Sequence, residues 1–449
     1  MLEAIRGFTR EFLREVEGKP IRVVLRHDCD GITSAAILIK TFKRLDKKFS
    51  IRIVKLLTGD VLKEEIDRQT KDVLVFVGFS SESLEPLRMT SSKVFLIDNH
   101  EVDIRLLNEN VKIVNPYLVG DFSTNSCNAA GICYLFSKEI SKDNVDLSKI
   151  AVVGMIGDRH EASLSKANQL IINDTKDLTV RKGLVMYPAT RPLRRTLEYS
   201  TSPYIPGVTG NSEGVVELLR EVGISGGKSL LELDEEEMSR LVTAVMIRRA
   251  NNSRDDNIIG YLYVLKFFNT LEDARELSVL INACSRFDHW DSAILYCLEN
   301  EGVKNHAIEI YNEYRQEIIS GLKLAENVEK IRGNGFVILN VQDKIRDTVV
   351  GTVCSMLAGT ANYEEGTILI GIAYSKENLK VSARMVGKGS RNMKEVLEQT
   401  IVSLKQKNPD ASAMVGGYRD SAGCLIEKNL EAGFIEELRR NLEIEVVKV

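Results

Sequence analysis

Two aspartates, Asp28 and Asp30, stand where a short apolar run gives way to a helical stretch. Residues 21–25 are rich in β-branched types, which predicts a buried strand, and residues 33–42 have a helical composition. If the strand persists to Asp30, both carboxylates project to one side at its carboxyl end, where parallel sheets present ligands. Two close carboxylates repel unless a proton or a cation lies between them, so the pair predicts one corner of a site for a hard divalent ion. The alternative is that Asp30 caps the helix and Asp28 is solvated.

The composition is that of an ordinary globular protein. The chain has 449 residues, 28% charged and 44% hydrophobic, a length that predicts roughly three domains. A net charge of −4 gives no global attraction for nucleic acid, so binding to DNA or RNA requires a local basic patch. Seven cysteines without CxxC spacing predict reduced thiols. Because no apolar run reaches about 18 residues and the first residues are charged, we expect a cytoplasmic protein without membrane association.

Apolar runs alternate with helical stretches up to Asp158, which predicts an α/β fold with a doubly wound parallel sheet. The expected strands are 21–25, 51–56, 73–78, 94–98 and 111–114, and the expected helices are 33–45, 127–140 and 147–156. Between about 191 and 300 the strand signal disappears, and helical segments are expected at 214–222, 235–249 and 271–283.

The rest of the chain predicts a long amphipathic connector helix and then a smaller mixed α/β domain. The connector is expected over 306–331, followed by strands 335–341, 367–374 and 379–386 and by helices 349–357, 393–404 and 435–443. The predicted domains are therefore 1–190, a helical insertion at 191–305, the connector at 306–332, and 333–449.

Further polar motifs follow other predicted strand ends and apolar stretches. They are Val77-Gly78-Phe79, Asp98-Asn99-His100, Gly157-Asp158 and the glycine-rich Gly416-Gly417-Tyr418-Arg419. In this order they resemble the motifs of the DHH phosphoesterase superfamily, and in particular its RecJ-like branch. The stretch 191–210 is similar to archaeal RecJ-like proteins, including the nuclease that associates with the GINS complex. The resemblance covers essentially the whole chain and implies a DHH-type domain followed by a DHH-associated domain.

The resemblance implies phosphodiester hydrolysis by two metal ions, usually manganese, which activate a water and stabilise the charge on the phosphate. Two positions depart from the family pattern. Gly78 stands where an aspartate that bridges both ions is expected, and Asn99 replaces an expected histidine. The remaining catalytic candidates are Asp28, Asp30, Asp98, His100 and Asp158, of which all but Asp98 are expected metal ligands. Such a set is better suited to one Mn²⁺ or Mg²⁺, or to none, than to two ions about 4 Å apart.

The C-terminal glycine motif predicts a nucleic-acid contact. Gly416 and Gly417 allow backbone amides to approach a phosphate, Arg419 adds charge, and Tyr418 replaces a family histidine with a ring that can stack on a base. Ser382 and Arg384, two apart on a predicted strand, are expected to face the same cleft and hold a second phosphate. The alternative is that the glycines only shape a turn.

Three functions are compatible with these motifs. The first is a RecJ-like, catalytically impaired protein of archaeal DNA replication or repair that binds single-stranded DNA or RNA. It would act as a scaffold with GINS and the MCM helicase, like the DHH-derived subunit of the eukaryotic CMG helicase. The second is an active Mn²⁺- or Mg²⁺-dependent exonuclease whose site is completed by Glu82, Glu101 or His160. The third is a small-nucleotide phosphodiesterase, which would not need the helical insertion. Gly78 and Asn99 favour the first function.

Overall fold

The computed structural model describes residues 1–55, 58–68, 71–79, 84–120, 126–162, 164–200, 203, 205–249, 258–360 and 362–443. The chain divides into two compact units, each assembled from separate stretches. The first comprises Met1–Arg191, Ser229–Glu232 and Ile259–Tyr311, and the second comprises Pro192–Lys228, Leu233–Ile258 and Asn312–Val449. Within the described ranges, no helix is long and apolar enough to cross a membrane.

Strands and helices alternate along much of the chain. In chain order, the strands of the described residues are β1 Ile21–Arg26, β2 Phe49–Val54, β3 Val73–Val77, β4 Val94–Ile97, β5 Val111–Val114, β6 Thr179–Leu184, β7 Ile259–Phe267, β8 Thr270–Asp273, β9 Lys330–Gly333, β10 Phe336–Gln342, β11 Ile368–Ser375, β12 Asn378–Met385, β13 Ala413–Gly417 and β14 Ser421–Glu427. The helices are α1 Leu2–Glu15, α2 Cys29–Arg44, α3 Gly59–Asp67, α4 Ala129–Ile140, α5 Ser148–Gly157, α6 Lys166–Asp174, α7 Leu193–Glu198, α8 Ser212–Val222, α9 Glu235–Arg249, α10 Ala274–Arg286, α11 Trp290–Cys297, α12 Glu301–Asn327, α13 Asp347–Ala358, α14 Met393–Lys407 and α15 Glu431–Glu443.

A parallel sheet in the order β2-β1-β3-β4-β5 forms the core of the first unit. Strands β3 and β4 are runs of Val, Ile, Leu and Phe, as expected for strands covered on both faces. On one face Phe95 packs edge-on against Phe8 and Phe12 of α1. On the other, Phe76 belongs to a cluster that includes Leu62 of α3. The predicted doubly wound α/β class is confirmed.

The expectation that strands disappear between 191 and 300 is wrong. Strands β6, β7 and β8 form a separate antiparallel sheet in the first unit, in that order. The helix expected to begin at Leu271 instead begins at Ala274, after β8, because the Asp273 side chain caps it by accepting a hydrogen bond from the Arg275 backbone (2.8 Å). Strand β7 is rich in aromatic and β-branched residues, so its composition carried the missing signal.

The second unit contains α7–α9 and, after α12, a mixed sheet in the order β13-β14-β12-β11-β10-β9. Only β10 and β11 are parallel neighbours among the described strands of this sheet. Leu397 of α14 and Phe434 of α15 pack with Ile370 and Ala383 on one face. Helix α13 covers the other face. Its Cys354 lies so close to Gly371 of β11 that a Cβ at position 371 would meet the sulfur. The sheet therefore has a helical layer on each side.

Most other predicted elements are present, with bounds that differ by a few residues. The connector helix is α12. It ends at Asn327 and not at residue 331 as predicted, because the chain enters β9 at Lys330. Strand β9 and the hairpin of β13 and β14 were not predicted. Leu56, at the end of the expected strand 51–56, lies outside the described residues.

Candidate functional site

The carboxyl edge of the parallel sheet brings three of the sequence motifs side by side. Strand β1 ends at Arg26, and the register pairs the preceding Leu25 with Val77 and Val77 with Ile97. The Gly78 backbone donates a hydrogen bond to the Ile97 carbonyl (3.0 Å). Residues that follow these strand ends therefore lie at one edge of the sheet. Asp28, Asp30, Asp98 and His100 lie there together with Asp158, which follows α5, and we call this group the acidic pocket.

Asp28 is the N-cap residue of α2. Its Oδ1 accepts a hydrogen bond from the Gly31 backbone (3.0 Å), and its Oδ2 lies 3.1 Å from Nη2 of Arg26. The chain turns this sharply because position 31 has no side chain: a Cβ there would lie 2.0 Å from the Arg26 carbonyl oxygen. Both expectations for the pair are therefore wrong in geometry. The strand stops before Asp28, and the cap is Asp28 rather than Asp30.

Asp30 is buried against the N-terminus of α4. Its Oδ1 accepts hydrogen bonds from the Ala130 backbone and from Nδ2 of Asn128 (2.7 Å each), and its Oδ2 accepts one from the Ala129 backbone (3.1 Å). The positive end of the helix dipole therefore faces this carboxylate. Burial and the neighbouring carboxylates nevertheless raise the pKa of Asp30 well above its usual range.

Asp158 follows the last turn of α5 and keeps access to solvent. The Nδ2 of Asn128 lies 3.4 Å from one of its oxygens, so Asn128 links Asp158 to Asp30. The protein packed around Asp158, together with the Asp28 carboxylate, raises the pKa of Asp158 to about 7. Asn128 was not predicted as a site residue. Its place immediately before the Ala129 helix start, where Asn is a preferred N-cap, is the signal that would have identified it.

Asp98 and His100 form a hydrogen-bonded pair. Nδ1 of His100 lies 2.8 Å from Oδ1 of Asp98, and Oδ2 accepts hydrogen bonds from the His100 backbone (3.1 Å) and from Nδ2 of Asn115 (3.2 Å). Burial raises the pKa of Asp98. Burial disfavours the imidazolium, but the hydrogen bond to Asp98 and the negative charge of that carboxylate together outweigh burial and raise the pKa of His100. This pairing fixes the orientation of the imidazole ring, an arrangement also used to orient metal-ligating histidines.

Gly78 and Asn99 supply neither a carboxylate nor an imidazole to the acidic pocket. Gly78 has a left-handed φ of +78°, and the nearest atom to a Cβ built on it is Cδ of Arg26, 3.7 Å away. Oδ1 of Asn99 is buried without a hydrogen-bond partner in the described part of the chain. Of the proposed compensating groups, His160 is committed to the Ser126 carbonyl through Nδ1 (2.9 Å), and Glu82 lies outside the described residues.

This donor set does not fit a two-ion centre. Within the described ranges, no three His, Cys, Asp or Glu side chains gather around a point that could hold a metal ion. Both oxygens of Asp28, Asp30 and Asp98 are engaged by N–H donors or by Arg26. The position that would bridge two ions is Gly78, which supplies no ligand.

The glycine motif of the second unit forms the hairpin of β13 and β14. The Tyr418 backbone donates to the Ser421 carbonyl (2.7 Å) and closes the turn, while the Tyr418 ring is 68% exposed. Gly417 has a φ of +130°, and a Cβ there would lie 2.5 Å from both Cα of Ala422 and the Ser421 carbonyl oxygen. The fold therefore requires glycine at 417. A Cβ on Gly416 would meet nothing within 4 Å, so packing gives no reason for glycine there.

Ser382 and Arg384 share one face of β12, as their spacing predicts, and α13 lies over that face. Ser382 is only 4% exposed, and a Cβ built on Gly351 of α13 would stand 3.0 Å from its hydroxyl. Nε of Arg384 donates to the Ser355 hydroxyl (2.7 Å), and Nη1 donates to the Ala383 carbonyl (2.8 Å). Ser382 therefore lies beneath α13, and Arg384 contacts the Ser355 side chain of that helix. The hairpin is the more accessible part of the predicted interface.

A doubly wound sheet with this order of motifs at its carboxyl edge, followed by a mixed α/β unit, defines a RecJ-like protein of the DHH superfamily. The sequence model of the family described as Archaeal Cdc45 matches residues 92–340, more than half of the 449 residues. The chain belongs to the archaeal Cdc45 family.

The chain is also similar to individual proteins of known sequence or structure. An uncharacterized protein of Methanocaldococcus jannaschii is 28% identical over 311 residues, which are 68% of this chain and 69% of the relative. The crystal structure of Cdc45 from Entamoeba histolytica is similar over 98% of this chain and 99% of its own, with a TM-score of 0.70 and 12% identity. Exonuclease RecJ bound to manganese is similar over 98% and 95% of the two chains, with a TM-score of 0.60 and 16% identity. At these identities the structural likeness establishes the shared fold.

Proposed function

We propose that this protein binds single-stranded DNA or RNA in archaeal DNA replication or repair, with an impaired two-metal site, and acts as a scaffold for GINS and the MCM helicase. The observation that carries the proposal is the acidic pocket. It retains the carboxylates Asp28, Asp30 and Asp158, yet has glycine at the bridging position and a neutral amide at Asn99. Even the loss of an outer partner of a metal ligand costs about 10- to 100-fold in affinity or activity, and here two direct ligands are absent.

The strand-binding part of the proposal rests on the β13–β14 hairpin. Tyr418 offers an exposed ring for stacking on a base, and the open side of Gly416 leaves room for a phosphate to approach the backbone. Arg419 is exposed, and its Nη2 donates to the Ser390 carbonyl (3.1 Å), which holds the guanidinium at the hairpin tip. These groups supply a local cationic and aromatic surface on a chain whose net charge is −4.

The binding test measures fluorescence anisotropy of a labelled single-stranded oligonucleotide over a series of salt concentrations. We expect the wild type to bind with a negative salt slope, because phosphate contacts release counterions. Arg419→Gln should reduce that slope by about 1. The matched control is Arg105→Gln, an exposed arginine of the first unit that should leave the slope unchanged. Salt-independent binding, or an equal effect of both variants, contradicts the proposed interface.

The scaffold part of the proposal comes from the RecJ-like resemblance and needs its own measurement. Purified GINS and MCM from an archaeon encoding this protein should each be mixed with it and analysed by size-exclusion chromatography with light scattering. Co-elution at a defined stoichiometry supports the scaffold role. Separate elution of all three components at micromolar concentration contradicts it and leaves strand binding as a separate question.

A metal-dependent exonuclease is the second candidate function. Asp98 orients the His100 ring as a ligand would require, and RecJ, a protein of the same fold, is an exonuclease crystallised with manganese. The test restores the missing groups with Gly78→Asp and Asn99→His and measures Mn²⁺ binding and nucleotide release. A gain in both supports an eroded nuclease ancestry for the pocket. If the wild type already binds Mn²⁺ and releases nucleotides as well as the restored variant does, the exonuclease replaces our first proposal.

A further inference from the structure

The acidic pocket brings together three carboxylates whose negative charges repel one another. Asp28, Asp30 and Asp158 act on one another electrostatically, and neutral N–H donors only partly offset their repulsion. In a functioning two-metal centre, divalent cations would supply the missing positive charge. A pocket that lacks the ligands for two such ions can offset the repulsion with a proton on one carboxylate, and it also has a side-chain source of positive charge.

Arg26 is that source. It is the last residue of β1, two positions before the Asp28 cap, and its Nη2 lies 3.1 Å from Oδ2 of Asp28. Its charge also acts on Asp158 and on His100. An isolated pair as exposed as this one, with side chains 40% and 36% accessible, contributes little to stability. The significance of Arg26 lies in the several pocket groups that its charge reaches.

Gly78 leaves the space beside the Arg26 side chain without a competing carboxylate. The arginine stem passes over Gly78, with its Cδ 3.7 Å from the point where a Cβ would stand. An aspartate side chain would extend beyond that Cβ, and its carboxylate would compete with Asp28 for the guanidinium. Gly78 thus supplies no metal ligand and lies against the stem of Arg26.

We propose that the guanidinium of Arg26 replaces a divalent metal ion as the resident cation of the acidic pocket. The inference rests on the impaired-site part of the proposed function and is independent of strand binding. The guanidinium supplies positive charge beside an incomplete ligand set, because it is covalently attached and needs no coordination geometry. It also means that Arg26 opposes the binding of a divalent ion.

The test is calorimetric titration of MnCl₂ into the full-length wild type, Arg26→Gln and Arg26→Lys. Removing one nearby positive charge should tighten Mn²⁺ binding roughly tenfold in Arg26→Gln. Arg26→Lys keeps the charge and should remain close to the wild type. The matched control is Arg105→Gln, which removes an arginine paired with an aspartate two residues away, Asp103, outside the pocket. This control should behave as the wild type.

Melting temperatures measured with MnCl₂ and with EDTA provide a second readout. We expect added Mn²⁺ to raise the melting temperature of Arg26→Gln more than that of the wild type. Adding Asp28→Asn to Arg26→Gln should abolish the gain. Equal Mn²⁺ affinity in the wild type and Arg26→Gln, or tighter binding in Arg26→Lys as well, overturns the inference.

The outcomes separate the two proposals. If no variant binds Mn²⁺ and the wild type releases no nucleotides, the role of Arg26 is refuted while the impaired-site proposal stands. If the wild type binds Mn²⁺ tightly and cleaves single strands, the impaired-site proposal fails, and the inference fails with it.

Discussion

Gly416 and Gly417 of the β13–β14 hairpin allow two single substitutions to distinguish an effect on folding from an effect on ligand binding. At position 417 a Cβ would lie 2.5 Å from two atoms of the partner strand, and the φ of +130° suits glycine. Left-handed backbone strain of about 1–3 kcal/mol and overpacking of about 1–3 kcal/mol predict that Gly417→Ala lowers the unfolding free energy by roughly 2–6 kcal/mol. At position 416 a Cβ meets nothing within 4 Å. Gly416→Ala should therefore be neutral or stabilise by up to about 1 kcal/mol, by reducing the entropy of the unfolded chain.

The affinity for a single strand should respond differently. If a phosphate reaches the backbone at Gly416, the added methyl group prevents a charge-assisted hydrogen bond of about 1.5–3 kcal/mol, and the dissociation constant rises roughly 10- to 150-fold. The assays are urea denaturation for stability and anisotropy of a labelled oligonucleotide for affinity. Gly227→Ala, at an exposed loop glycine of the same unit with only one neighbouring atom near its Cβ position, is the control. Normal affinity in Gly416→Ala would refute the contact that we assign to the hairpin.

Three further predictions concern single positions. Gly31→Ala places a Cβ 2.0 Å from the Arg26 carbonyl, so it should destabilise the first unit by more than about 4 kcal/mol; an unchanged denaturation midpoint contradicts the account of the β1–α2 turn. Tyr418→Ala should weaken strand binding by about 1–3 kcal/mol through loss of stacking, and Tyr418→Phe should retain it; an equal loss in both rejects stacking. Asp158 has a pKa of about 7 in the folded protein and about 3.9 when unfolded, so the folded state binds the extra proton and stability falls as pH rises through this interval. Asp158→Asn should therefore raise the melting temperature most above pH 7, with a gain that vanishes toward pH 4; a gain independent of pH contradicts this titration.

The sequence predicts the parallel sheet well because its central strands β3 and β4 are continuous buried runs, and β5 has the predicted bounds 111–114. Elements that depend on pairing partners were harder to predict. β9 is only Lys330–Gly333, and β13 contains Gly416 and Gly417, residues that disfavour strands in isolation. Their conformation is set by hydrogen bonds to β10 and β14.

In the acidic pocket, residue types and order were readable from the sequence, but contacts were not. The spacing of Asp28 and Asp30 is compatible with a strand end or a helix cap, and the choice depends on Gly31 meeting the Arg26 carbonyl. Asn128 connects Asp30 and Asp158, which are 128 positions apart in the sequence. The reach of Arg26 over Gly78 depends on the register between β1 and β3, which local sequence patterns do not define.

The most direct test of the central claim is the release of labelled nucleotides from single-stranded DNA and RNA in the presence of Mn²⁺. The wild type is compared with the double variant Asp28→Ala, Asp30→Ala at protein concentrations that saturate the strand. We predict that the wild type binds the strand but releases nucleotides no faster than the double variant. Robust Mn²⁺-dependent release by the wild type that the double variant abolishes would contradict the account.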